Sequence, residues 1–275
     1  VNDSIGPDWG FGHAIGEATD EPVLIIKFAC GCKSVHQTFR PPSAIPIDAH
    51  IKQMIAEMQA KYDAAIEANK IKEKEGKKTR KPKPVPTFEA YKATFGEYYR
   101  KMVEHVKEEL ADYENKFPEL KGYKPEIAGF VWHQGFNDIV GSYYKGKDDG
   151  FADYTKWTAM LIKDLRKDLH APDMPAVIGE LSTAGVDGRG PFQEAQADIA
   201  KQPGFDGSVV FVPTAEYEDK VARQMFKDGV WKQGKEGMAK WMTVGNDRPY
   251  HYLGSGKWYF LKGIAFGKAM VELDQ

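Results

Sequence analysis

The run AGFVWHQGFNDIV, residues 128–140, is apolar as far as Val131 and then presents Trp132, His133, Gln134, Gly135, Asn137 and Asp138 in quick succession. A strand buried on both faces reads as a continuous apolar run, and it turns polar where it delivers side chains into a site. Three more runs have the same character: PVLIIKFA from Pro22, MPAVIGEL from Met174 and GSVVFVPT from Gly207. Their Val, Ile and Phe content is near-continuous rather than alternating, which predicts a parallel sheet. Helical stripes lie between them. Ile51, Met54, Ile55, Met58 and Tyr62 form one; Phe88, Tyr91, Phe95, Tyr98, Met102 and Val106 a second; Tyr154, Trp157, Leu161 and Leu165 a third. These stripes read as core-facing. Strands alternating with helices predict a three-layer α/β sandwich, its chemistry beyond the carboxyl ends of the strands.

Composition bounds the rest. A chain of 275 residues, 42% hydrophobic, has enough apolar surface for one large α/β domain spanning 1–275. Lys plus Arg number 38 against 40 Asp plus Glu, a net charge of -2, so no global field attracts nucleic acid. The cysteines are Cys30 and Cys32, two apart in an extended segment, a poor geometry for a mutual disulfide. No apolar run approaches membrane-spanning length. No His, Cys or carboxylate cluster has metal-ligand spacing, so neither a metal nor an organic cofactor is expected.

The stretch KIKEKEGKKTRKPKPVPT from Lys70 is almost without apolar residues and ends in spaced prolines. It reads as an exposed, solvated Lys/Pro-rich insertion at about 67–87. SGKWYFLKGIAFGKAMVEL predicts a final helix with Ser255 as its N-cap.

GFND fits the Gly-x-Asn-Asp form of the third sequence block of the SGNH hydrolases. WHQGFND resembles the Trp-x-Gln-Gly block of the sialate O-acetylesterase-like, carbohydrate acetylesterase branch of that superfamily. GPDWGFGHAIGEATDEPVLIIKFACGCKS resembles the segment that leads into the second strand of those esterases, and YHYLGSGKWYFLKGIAFGKAM the block in which the catalytic His precedes the last helix. Three blocks in the right order cover the chain nearly end to end. The resemblance implies an SGNH hydrolase fold and acyl-enzyme removal of acetyl groups from a glycan. By analogy with glycan-processing relatives it also favours an extracytoplasmic setting.

Serine ester hydrolysis requires a nucleophile, an imidazole that takes and returns its proton, and donors aimed at the developing oxyanion. Asn137 can present a side-chain amide, with Gly135 allowing the sharp turn that faces it to the cleft. The turn at Gly31 can add a backbone N–H. His251, on the loop before the final helix, is the candidate base, and Asp138 and Asp247 are both candidates for its orienting acid. Gln134, Gly135, Trp132 and Arg40 are expected to contact substrate or shape its cleft. Two departures from the family pattern stand out. Where relatives carry two glycines this chain has Gly31 and Cys32, strained if residue 32 needs positive φ, and Phe136 and Arg248 stand where relatives place acids.

The nucleophile is unidentified. The family Ser follows the first strand, and no such block is present; NDSI at Asn2 imitates one, but no apolar strand precedes Ser4. The first strand is central in the flavodoxin-like order, so its lack leaves unpaired edges. A segment upstream of Val1, a second polypeptide, or direct pairing of the 22–30 and 127–133 runs is the expected remedy. An acetylesterase is the first reading; a catalytically silent module for glycan binding or structural assembly is the alternative.

Overall fold

The computed structural model describes residues 5–141, 151–182, 190–246 and 251–273. The sheet is parallel, with strands β1 (Phe130–Trp132), β2 (Ala176–Gly179) and β3 (Val209–Val212) side by side in that order. Register runs Phe130 to Ala176 to Val209, continuing to Ile178 beside Phe211. Each crossover carries helices, as parallel pairing requires. Helices α5 (Phe136–Val140) and α6 (Ala152–Asp168) lie between β1 and β2, and α7 (Pro191–Ile199) lies between β2 and β3.

Alternation along the strands divides the core between two faces. Val177 and Val212 pack with Phe266 and Met270 of α10 (Gly256–Leu273) and with Phe11 and Ile15 of α1 (Pro7–Gly16). Ala176 and Ile178 face the larger cluster, which includes Tyr99 and Met102 of α4 (Glu97–Lys116), Leu161 and Ile162 of α6, and Phe192 of α7. The result is a three-layer α/β sandwich consistent with an SGNH-like fold. Helices α1 and α10 meet closely enough to require glycine. A Cβ at Gly263 would lie 1.9 Å from the Pro7 carbonyl oxygen, and one at Gly10 would lie 2.0 Å from that of Phe260.

Two expectations need correction. The run from Pro22 forms no strand: residues 22–30 carry no regular secondary structure, and neither they nor the open side of β1 shows strand pairing among the described residues. A strand exists only with a partner, and direct pairing of these two runs is not found. The 22–30 segment nonetheless has strand-like periodicity. Leu24, Ile26 and Phe28 are half-buried while Val23, Ile25, Lys27 and Ala29 are exposed. Phe28 sits against Phe39, Tyr98 and His105, whereas Lys27 bonds Asp8 of α1 at 2.6 Å. The second correction concerns the Phe88 stripe, which makes two helices, α3 (Phe88–Thr94) and α4. Gly96 separates them at φ +69°, where a Cβ would meet the Arg40 carbonyl at 2.7 Å. The exposed insertion expected at about 67–87 begins on a helix, since α2 (Asp48–Lys74) is 27 residues long and runs into it.

Ser255 caps α10 as the sequence implies, its hydroxyl accepting from the Trp258 N–H at 3.3 Å. Helices α8 (Lys220–Lys227) and α9 (Gly234–Trp241) complete the chain between β3 and α10, around a small cluster of Ala222, Trp241 and Leu253. Cys30 and Cys32 are free and exposed.

Candidate active site

The polar run after β1 begins with a turn that only glycine accommodates. Gly135 has φ +156° and ψ -13°, and a Cβ there would approach the Phe192 ring to 2.4 Å. This turn starts α5 and directs Asp138 inward. Asp138 is 0% exposed, and its carboxylate accepts from the Val35 N–H at 3.0 Å, the His36 N–H at 3.1 Å and the Gln134 side-chain amide at 2.8 Å. The same amide donates to the Lys33 carbonyl at 2.9 Å. The turn at 31–36 and the loop at 134–138, a hundred residues apart in sequence, are thereby stitched together at the carboxyl end of β1. Asn137 is half-buried in the first turn of α5, and its side-chain amide makes no hydrogen bond among the described residues.

A second group of polar side chains gathers at the same end of the sheet. His133 follows β1 directly; its Nδ1–H donates to the Gly179 carbonyl at 3.2 Å, leaving Nε2 to accept from the Tyr252 hydroxyl at 3.1 Å. Lys262 of α10, 0% exposed, brings its Nζ to 3.5 Å from the same Nε2 and 2.9 Å from the centre of the Tyr252 ring. Burial pushes the Lys262 amine well below its ordinary pKa. Burial first, and the Lys262 charge second, bring His133 from 6.5 down to about 3. Both groups are therefore held toward their neutral forms. Beyond β2, the Glu180 carboxylate accepts from the Thr214 and Ala215 N–H groups at 2.7 and 3.0 Å, and Ser182 and Thr214 share a hydroxyl bond of 3.1 Å.

Residues 86–227, just over half of the chain, match the family described as SASA: Carbohydrate esterase, sialic acid-specific acetylesterase. The chain belongs to this family of carbohydrate esterases. The match spans all three strands and the Gln134–Asp138 loop, and stops short of both the 31–36 turn and His251. No curated protein and no solved structure matches the chain.

In this family member the expected site residues are distributed as follows. Gly31 is exposed, with open space around its Cα, and Cys32 occupies the left-handed region at φ +59°, the conformation in which its Cβ is a strain. Trp132 is buried edge-on against Phe39, with ring centres 5.2 Å apart. Arg40 is buried as well. Its Nε donates to the His36 carbonyl at 2.9 Å and its guanidinium stacks 3.2 Å over Trp157. Both side chains sit beneath the loops and shape them from within. His251 is exposed and opens a run of three left-handed residues, with Tyr252 and Leu253 at φ +58° and +60°. Its neighbour Tyr252 is the residue docked on His133, which anchors the His251 loop to the carboxyl end of β1. Asp247 and Ser4 lie outside the described residues. Among those described, no group of three His, Cys, Asp or Glu side chains could hold a metal, and no helix is long and apolar enough to cross a membrane.

The sequence reading placed His133 in the polar run without giving it a role, and missed Glu180, Ser182, Tyr252 and Lys262. Glu180 and Ser182 were accessible by the rule that singled out the 132–138 run: the apolar stretch ending at Gly179 also turns polar at a strand's carboxyl end. Lys262 had no such signal, because its spacing in α10 resembles that of any helical lysine.

Proposed function

We propose that the chain carries the site of a carbohydrate O-acetylesterase that removes acetyl groups from a glycan through an acyl-enzyme. The observation that supports this reading is the stitch by Asp138 and Gln134, which ties residues 33–36, just after the Gly31 turn, to the 134–138 loop at the carboxyl end of a parallel strand. In this arrangement Asn137 and a backbone N–H of the Gly31 turn donate to the oxyanion. His251 takes the proton of the attacking hydroxyl and returns it to the leaving sugar oxygen. Because the Asp138 carboxylate already serves three donors, Asp247 is the better candidate to orient His251. Gln134 and Gly135 form the floor of the cleft, supported by Trp132 and Arg40. The nucleophile arrives on a strand laid against the open side of β1, from an upstream segment or a second polypeptide. The unladdered 22–30 run, alternating as a strand does, supports a neighbour there.

Turnover of a small chromogenic acetyl ester by the natural polypeptide tests the assignment. His251→Ala is expected to lower kcat at least a hundredfold with KM little changed. Wild-type turnover in that variant would remove His251 from the reaction. Fluorophosphonate labelling of a serine should accompany activity.

A further inference from the structure

The α2 helix leaves the domain as an arm. Of its 27 residues only Ile51, near the start, is fully buried, and residues 70–81 at its far end are all exposed. The helix closes at Gly76, φ +68°, with the Gly76 N–H on the Glu73 carbonyl at 3.0 Å and the Lys77 N–H on that of Lys72 at 2.8 Å. These two bonds form a Schellman cap, which reverses the chain. The returning stretch is fastened to the helix, the Asn69 amide donating to the Arg80 carbonyl at 2.9 Å and the Thr79 hydroxyl to Glu73 at 3.0 Å. Prolines 82, 84 and 86 then hold the backbone of the return leg. What reads in sequence as a solvated linker is a clamped hairpin of helix and extended chain.

Its charge is concentrated. Residues 70–84 contain seven Lys and one Arg against two Glu, a net of +6 in a chain that totals -2, so the remaining residues carry -8. Helix polarity accounts for part of this, since cations near a carboxyl terminus are favourable within the last turn. Lys72 and Lys74 meet that need. Lys78, Arg80, Lys81 and Lys83 lie beyond the turn, and none of them makes an ion pair among the described residues. The nearby acids are engaged: Glu67 with Lys70 at 2.6 Å, Glu75 with Lys77 at 2.8 Å and Glu73 with Thr79. Unneutralised cations of one sign on a pre-ordered backbone lower the ordering cost of binding and focus an attractive field on a polyanion.

We propose that the tip of this arm is a docking surface for an acidic polysaccharide, which tethers the esterase to a carboxylated glycan away from the reaction centre. The choice of a glycan among polyanions rests on the esterase reading above; the anionic character rests on the arm alone. In the extended Lys81–Pro82–Lys83 stretch, alternate residues stand roughly 6 Å apart, so successive ammonium groups can follow the carboxylates of one chain.

The test is equilibrium binding of fluorescent polygalacturonate of defined length to the wild-type polypeptide and to a Lys78→Glu, Arg80→Glu, Lys81→Glu, Lys83→Glu variant, with small-ester turnover measured in parallel. All four positions are exposed, and circular dichroism confirms that the variant is folded. Expected are binding by the wild type that weakens at least tenfold between about 50 and about 200 mM salt, as screening of exposed charges requires, and a loss of at least tenfold in the variant with ester turnover unchanged. Absence of wild-type binding at low salt, or equal binding by the variant, would overturn the proposal. Tighter binding to duplex DNA or to anionic vesicles than to polygalacturonate would overturn its choice of partner. Binding that follows the arm in a protein without ester turnover would uphold the docking surface while rejecting the esterase reading.

Discussion

His133→Gln is the most informative single change at the carboxyl end of the sheet. Glutamine can retain both hydrogen bonds, donating to Gly179 and accepting from Tyr252, while losing the ability to titrate. In the folded protein the His133 pKa is about 3, against 6.5 when unperturbed, because burial and then the Lys262 charge oppose the imidazolium. The sign follows directly. Between these values the unfolded chain binds one proton more than the folded chain, so stability rises with pH and is lost as pH falls below 6.5. Each pH unit within the window is worth about 1.4 kcal/mol, and the interval from pH 7 to pH 5 amounts to about 2 kcal/mol from this residue. Carboxylates titrate nearby, so the quantity to read is the difference between variant and wild type. Urea unfolding followed by tryptophan fluorescence at the two pH values supplies it. The wild type should lose about 2 kcal/mol more than the variant on going to pH 5. A difference under about 0.5 kcal/mol would show that His133 reaches solvent in the folded state and that burial does not hold its imidazole neutral.

Two further changes probe the scaffold. Asp138→Ala leaves the Val35 and His36 N–H groups and the Gln134 amide without their acceptor. It should cost about 3 to 5 kcal/mol in urea unfolding, and any residual turnover should keep the wild-type pH–rate profile if the residue positions the loops rather than acting on the proton. Gly263→Ala drives a methyl into the Pro7 carbonyl. Despite the helix-propensity gain of about 1 kcal/mol, it should destabilise by about 2 kcal/mol and lower Tm by roughly 4 to 8 °C in a thermal scan.

Much of the fold was legible because burial leaves a mark on composition. The apolar runs at 127, 174 and 207 each contain a strand, and the Ser255 cap follows from side-chain chemistry alone. The run at 22 misled because strand character is a property of a pair: Val23, Leu24, Ile25 and Ile26 have the propensity, and no ladder among the described residues receives them. Gly96 was similarly opaque, since the clash that demands glycine comes from Arg40, more than fifty residues earlier in the chain. Within the site, Asp138 was legible as a functional type of residue, but not as the acceptor of three bonds, because two of its donors lie on the 33–36 turn. The strain at Cys32 could be anticipated, given glycine in related sequences at the same turn, and its φ of +59° has the sign that glycine would accept without penalty.

The stitch explains how two loops can keep a fixed relation without a ladder between the segments that carry them. In a continuous parallel sheet the relative height of neighbouring strand ends is fixed by slanted backbone bonds repeated along their length. Here the 22–30 run and β1 share no such bonds, so the height of the Gly31 turn relative to Asn137 depends on side chains instead. Asp138 suits this role because a carboxylate accepts several donors and its charge strengthens each bond. Gln134 adds the reciprocal bond to Lys33, and Arg40 holds the far side of the turn through His36 and Trp157. These contacts come from the ends of the two segments rather than from their lengths. The edge of β1 away from β2 is consequently unpaired among the described residues, and it is there that the proposed function lays the strand carrying the nucleophile.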